Sequence, residues 1–261
     1  MSLVQTSIEA GVATVRLCRA DKRNALSREL LQQLSEAIKK VLADSSTRVL
    51  VLQAEGPVFC AGMDLAEMQA RATSEDGQKE WQKDSADYCE LLVELYSASV
   101  PTIAALQGPV LAGGVGMVLA CDFVVAVEDA FIALPEPQRG ITAAMVTPLL
   151  VHRVGAGRAG HLLLSGRRQS AKDAASTGLV YEVVSPESLA SSVKSLTESI
   201  LLGSPEALAI TRHHLDEVGG NDLVARIRQS IEVSAKARAG QDAREGLAAF
   251  LEKRKPNWQN G

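Results

Sequence analysis

Two glycine-rich loops and one carboxylate carry the chemistry that can be read from this chain. The first loop is GPVFCAGMDL, residues 56–65, and the second is QGPVLAGGVGM, residues 107–117. Each falls between a run of strand type and a run of helical type. A chain turning from strand into helix exposes N–H groups that no carbonyl of the helix has taken. Two such groups converging on one point hold a developing oxyanion, and glycine permits the dihedrals and the close approach. Taken singly, each loop also fits a tight turn that only joins two elements. The carboxylate is Glu136, in Pro135-Glu136-Pro137. An acid between two prolines in an apolar neighbourhood is poorly placed for a solvated surface charge, and desolvation raises a carboxyl pKa toward a general-base value. A plain turn residue is the competing reading. Lys253, Arg254 and Lys255 form a basic run in an acidic protein. Phosphate pairing is one use of it, and a solvated helix end is the other.

Three further groups carry less. Cys60 sits beside the first loop with no histidine near it in sequence, and reads as a small buried filler. His213 and His214 are neighbours within a predicted helix, so they face different ways and suit a metal poorly. Asp122 starts a strand and is expected to make a structural hydrogen bond.

The elements that must position these groups follow from the apolar pattern. Val12 to Leu17 alternate as a strand after a turn at Gly11. Ser27 is an N-cap with Glu29 in the first turn, and Leu30, Leu34, Ile38 and Val41 follow at helical spacing. Val49–Leu52, Pro101–Leu106, Phe123–Val127 and Phe131–Leu134 read as short strands. A short helix is expected from about Leu65, and a small-residue helix after the Gly113-Gly114 turn, ending near Ala120. Residues 72–85 read as a flexible connection into a helix lined by Trp81, Tyr88, Leu91, Leu92 and Leu95. Short apolar strands alternating with helices argue for an α/β fold. Ser185-Pro186-Glu187 and Ser204-Pro205-Glu206 look like two near-identical helix starts, and only helices are expected after about residue 186.

Composition narrows the classes. The chain has 261 residues, 46% hydrophobic, with net charge −4. That is ample for a packed core and rules out a disordered chain, and the charge argues against a general nucleic-acid binder. No apolar run reaches the roughly 18 residues of a membrane span, and the first residues lack a secretion-signal pattern. The four cysteines are scattered without a CxxC. A disulfide framework or metal site is therefore not expected, and a reduced, cytoplasmic protein is.

In combination, DKRNALS (21–27), FCAGMDL (59–65), GP..AGGVGM..ACDF (108–123), LPEPQRG (134–140), SPEALA (204–209) and FLEKRKPNW (250–258) resemble the crotonase (enoyl-CoA hydratase/isomerase) superfamily nearly end to end. The resemblance implies a spiral of ββα units over residues 1–200 carrying the acyl-CoA site. A helical oligomerisation subdomain over 201–261 would build trimers, often paired into hexamers. It implies an acyl-CoA thioester as ligand, with coenzyme A part of the substrate and no separate cofactor. By motif position, the thioester oxygen falls between the backbone N–H groups of Met63 and Gly113. An enolate oxygen needs such donors, each worth about 3 kcal/mol. Arg23, Ala25, Ala61, Asp64, Leu65 and Gly114 are placed along the ligand, and Phe250 and Lys253 reach coenzyme A, often across a subunit boundary.

The resemblance also makes Glu136 the catalytic acid/base. Family hydratases commonly carry a second glutamate three residues after the oxyanion glycine; here that residue is Gly116. Together with ITAAMVTPLL at 141–150, this departure resembles the branch that hydrates methylglutaconyl-CoA-like, branched or carboxylated enoyl-CoAs. Arg139 is expected in a surface or interface ion pair rather than on a substrate carboxylate. The resulting expectation is an enoyl-CoA hydratase. A Δ3,Δ2-enoyl-CoA isomerase and a weakly catalytic CoA-thioester-binding protein are the alternatives.

Overall fold

Hydrophobic patterning folds the chain into ββα units whose strands divide between two sheets. The computed structural model describes residues 2–72, 77–220 and 222–259. Strands β1 (Val4–Glu9) and β2 (Val12–Leu17) form an antiparallel hairpin. Its two-residue loop, Ala10-Gly11, has both φ angles positive, as a type I′ turn requires. Helix α1 (Arg28–Ala43) follows, its N-terminus capped by the Ser27 hydroxyl accepting from the Leu30 N–H at 3.1 Å. Leu30, Leu31, Leu34, Ile38 and Val41 turn inward.

Strand β3 (Val49–Ala54) leads through the first glycine loop to α2 (Leu65–Ala72) and α3 (Gly77–Tyr96). Next come β4 (Thr102–Leu106), β5 (Val110–Leu111), α4 (Gly113–Ala120), β6 (Phe123–Val127) and β7 (Phe131–Ala133). The chain continues through α5 (Val146–Ser165), which bends at the non-helical Gly155, β8 (Gln169–Ser170), α6 (Ala171–Ser176) and β9 (Glu182–Val184). Four helices close it: α7 (Leu189–Leu201), α8 (Pro205–Gly220), α9 (Leu223–Ala239) and α10 (Gln241–Leu251).

The larger sheet has the order β1-β2-β3-β4-β6-β9, parallel from β2 onward; the smaller has the order β5-β7-β8. In the β4-β5-α4 and β6-β7-α5 units, the first strand joins the large sheet and the second joins the small one. Parallel strands covered on both faces read as unbroken apolar runs, and every residue of β4 is buried. Helices α1, α3 and α4 supply the main core on one face. Val193 of α7 packs on Val49, Val51, Ile103, Ala105 and Val125 on the other.

Two expectations change. The polar stretch expected as a connection is helical from Gly77 onward; residues 73–76 lie outside the described part. Its polar residues divide between faces: Lys83 pairs outward with Asp87, while Trp81, Asp84 and Ser85 are buried. Asp84 is stabilised there by Arg28 and Arg71. The two Ser-Pro-Glu starts also differ. Ser204 caps α8 by accepting from the Ala207 N–H, whereas Pro186–Ser188 is one 3-10 turn and α7 begins only at Leu189.

Candidate active site

The two glycine loops run side by side. Phe59 N–H donates to the Pro109 carbonyl at 3.0 Å, and Leu111 N–H to the Cys60 carbonyl at 2.9 Å. On its far side the first loop pairs with Leu26: Leu26 N–H donates to the Gly62 carbonyl, and Asp64 N–H to the Leu26 carbonyl. In that parallel bridge the flanking residues make the bonds, so the N–H of Met63 points the other way. It has no acceptor among the described residues, nor does the N–H of Gly113 at the head of α4. Gly62 makes the approach feasible. Its φ is +89°, and a Cβ there would meet the Ala112 side chain at 2.6 Å and the Gly113 nitrogen at 3.3 Å. Ala112 itself has φ +50°, an uncommon conformation for alanine. Its N–H is tied to the Ala133 carbonyl at 2.9 Å. This turn presents Gly113.

Met63 and Gly113 line a cavity of about 440 Å³ that also contains Glu136. Glu136 opens a 3-10 turn directly after β7 and Pro135. It is only 6% exposed, and its Oε2 is buried without a hydrogen-bond partner. Burial pushes its carboxyl up to about 7, against the opposing pull of its own backbone N–H, Arg139 and Arg238. An acid poised there exchanges a proton near neutrality.

Tyr88 of α3 lies between these features. Its hydroxyl donates to the Gly113 carbonyl at 2.5 Å. A Cβ on Gly116 would collide with that same hydroxyl oxygen and come within 3.2 Å of Leu92 and Val146. Burial holds the Tyr88 phenol well above its usual pKa, so it is a neutral donor. The space beside Gly116 is filled by a tyrosine.

Of the other residues singled out from sequence, Arg23, Ala25, Ala61, Asp64, Leu65 and Phe250 line the same cavity. Asp64 also caps α2, accepting from the Ala66 N–H at 3.1 Å, and pairs with Arg19 at 2.8 Å. Gly114 and Lys253 are not lining residues. Gly114 packs on Cys60, where a Cβ would lie 2.8 Å from the Cys60 Cβ, and Lys253 is exposed beyond the end of α10. Arg254 of the basic run pairs with Glu245 and Glu252. Arg139 is in no ion pair among the described residues. It lies 4.3 Å over the Phe250 ring and donates to the Pro135 carbonyl.

Cys60 is buried and its thiol is pushed up to about 12, which leaves it inert. Asp122 accepts from the Thr102 N–H and hydroxyl and from Arg212, a structural role. No helix among the described residues is long and apolar enough to cross a membrane, and no three of their His, Cys, Asp and Glu side chains cluster as metal ligands.

Among the cavity residues that sequence reasoning missed are Tyr88, Ser234 and Arg238. Tyr88 was expected only as a lining of its helix, and Ser234 and Arg238 of α9 were not singled out. A signal existed: Arg238 continues the inward stripe Ile227, Ile231, Ala235, so it is a charge on an apolar face.

Two backbone N–H groups without acceptors, on residues that line one cavity with a desolvated acid, can hold a developing oxyanion beside a group that exchanges a proton. Comparison places the chain within a family. Residues 7–261 match the enoyl-CoA hydratase/isomerase family. A Thermus thermophilus protein provisionally named an enoyl-CoA hydratase is 36% identical over 252 residues, 96% of this chain and 99% of that one. The 2,3-dehydroadipyl-CoA hydratase of Escherichia coli is 32% identical over 263 residues, 99% of each. The crystal structure of an enoyl-CoA hydratase from Mycobacterium avium superposes with a TM-score of 0.86 at 30% identity, covering 99% of both chains. The chain belongs to the enoyl-CoA hydratase/isomerase family and has its fold.

Proposed function

We propose that the protein hydrates an α,β-unsaturated acyl-CoA to the 3-hydroxyacyl-CoA. The backbone N–H groups of Met63 and Gly113 hold the thioester oxygen as negative charge develops on it. Glu136 takes a proton from water as it attacks C3 and returns that proton to C2. Tyr88, through the Gly113 carbonyl, positions the turn. The observation that carries this reading is Glu136, buried and unpaired in the cavity that the two free N–H groups line. Coenzyme A is expected along Arg23, Ala25, Ala61, Asp64 and Leu65, reaching Phe250. Lys253 would take part only through a different rotamer or a neighbouring subunit.

The missing acid at Gly116 supports a second reading. One carboxylate suffices to move a proton between C4 and C2, which is Δ3,Δ2 isomerisation. Product mass separates the two, because only hydration adds water. Binding without turnover, the third reading, would leave Glu136→Gln indistinguishable from wild type. Branched or carboxylated acyl groups, a cytoplasmic setting, and assembly through residues 201–261 into trimers or hexamers complete the proposal. Assembly is supported by Leu202, Ile210, Leu215 and Val218, which are 61–89% exposed in the single chain.

A further inference from the structure

We infer that Arg238 forms an anion subsite for the acyl group, so that the preferred thioester carries a carboxylate at the end of its acyl chain. This inference rests on the hydratase reading of the cavity and assigns its substrate class.

Arg238 stands in the last turn of α9, 7% exposed, and lines the same cavity as Glu136. It makes no hydrogen bond and no ion pair among the described residues, and its Nη1 is buried without an acceptor. Its one specific contact is with the face of Trp81, 5.7 Å from the ring centroid. A guanidinium carries five donors and cannot shed its charge at ordinary pH. Leaving it buried and unmatched is costly, and burial accordingly pulls its pKa down from the usual arginine value.

The neighbouring acids do not supply the partner. Asp84, its strongest electrostatic neighbour, is already shared by Arg28 Nε at 2.6 Å and Arg71 Nη1 at 2.8 Å. Glu67 and Glu80 are also engaged by Arg71, and both reach solvent. Glu136 titrates near 7 and lies outside ion-pair distance. The side of Arg238 that remains open is the cavity. Met68, Ile141 and Val146 make much of the surrounding lining apolar, so an anion there would be desolvated and its pairing with Arg238 strong. An enoyl thioester that carries a carboxylate on its acyl chain is a dicarboxylic acid mono-thioester. The carboxylate would pair with Arg238 while the thioester oxygen sits at Met63 and Gly113.

The test compares hydration of 2,3-dehydroadipyl-CoA with trans-2-hexenoyl-CoA, which has the same chain length and no carboxylate. In parallel, calorimetry measures binding of the saturated esters adipoyl-CoA and hexanoyl-CoA. In wild type the carboxylated member of each pair should be preferred by about 10- to 100-fold, the range of a charged hydrogen-bonded pair. Arg238→Met should collapse the preference to within about threefold of unity, and Arg238→Lys should retain part of it. If no ester is hydrated but adipoyl-CoA still binds better than hexanoyl-CoA in an Arg238-dependent way, the subsite stands and the hydratase reading falls. Hydration of both enoyl esters with no preference in turnover or binding would overturn the subsite and leave the hydratase reading intact. An equal loss for both esters in Arg238→Met would also overturn it, by showing that Arg238 acts only on Glu136 or on packing.

Discussion

The hydroxyl of Tyr88 donates to the carbonyl of Gly113 at 2.5 Å, and the same oxygen occupies the space a side chain at residue 116 would need. One tyrosine therefore fixes the turn that presents an N–H to the cavity and excludes a second acid from the site. Glu136 is left as the buried, unpaired carboxyl of a cavity that Tyr88 also lines.

Removal of this hydroxyl should misplace the Gly113 turn without emptying the cavity. Tyr88→Phe is expected to lower kcat about 10- to 100-fold with KM changed only a few-fold, as for a donor that acts in the transition state. Stability should fall by about 1 kcal/mol for the lost hydrogen bond. Steady-state kinetics beside urea unfolding checks both. A KM effect without a kcat effect would contradict the positioning role.

Gly116→Ala should destabilise by about 1–3 kcal/mol through overpacking. The cost should shrink in the Tyr88→Phe background, because the colliding atom is gone. A double-mutant cycle measures the coupling, and additive effects would show that Tyr88 does not occupy the space beside residue 116.

Glu136 should make stability depend on pH in a stated direction. Its folded carboxyl titrates at about 7, above the ordinary 4.5. Between those values the folded chain keeps a proton that the unfolded chain has released, so stability falls as pH rises through that window. Glu136→Gln lacks this group. The variant should match wild type near pH 4 and exceed it by up to about 3 kcal/mol above pH 8. Denaturation at several pH values reads this directly, and a difference independent of pH would contradict the buried, unpaired state of Glu136.

Docking of the C-terminal helices should depend on Arg212 of α8. Its Nε donates to both Asp122 oxygens, at 3.0 and 2.9 Å, and its Nη2 donates to the Tyr96 carbonyl at 3.0 Å. Arg212→Met removes one partner of Asp122, which keeps its two Thr102 hydrogen bonds, and should cost about 1–2 kcal/mol. Urea midpoints would show it, and a change below about 0.5 kcal/mol would mean that the Arg212 contacts do not hold α8 in place.

Much of this arrangement is legible in the sequence because it lies in local patterns. The apolar runs at β3, β4 and β6, the Ser27 cap and the two glycine loops each declare themselves within about ten residues. Glu136 stands out by its proline neighbours, which left a plain turn residue open until the family resemblance was added. What is not legible depends on contacts distant in sequence. Tyr88 and Gly116 are 28 positions apart, and only the packing of α3 on α4 brings them together. Arg238 stands 102 positions from Glu136. The helix from Gly77 was hidden because its buried polar residues, Asp84 and Ser85, take their partners from α1, α2 and α9. The Ser185-Pro186-Glu187 start differs in form: it opens a 3-10 turn, Pro186–Ser188, that runs directly into α7 at Leu189.

The central claim is that Glu136 alone performs the proton chemistry opposite the Met63 and Gly113 N–H pair. The most direct measurement incubates wild type and Glu136→Gln with crotonyl-CoA, 2,3-dehydroadipyl-CoA and a 3-enoyl-CoA, following conjugated-enoyl absorbance and product mass. The account predicts loss of absorbance with gain of one water in wild type. It predicts a rate at least about 10³-fold lower in the variant, with kcat/KM of wild type rising through pH 7. Equal rates in the two proteins, or isomerisation of the 3-enoyl ester with no water added to any substrate, would contradict it.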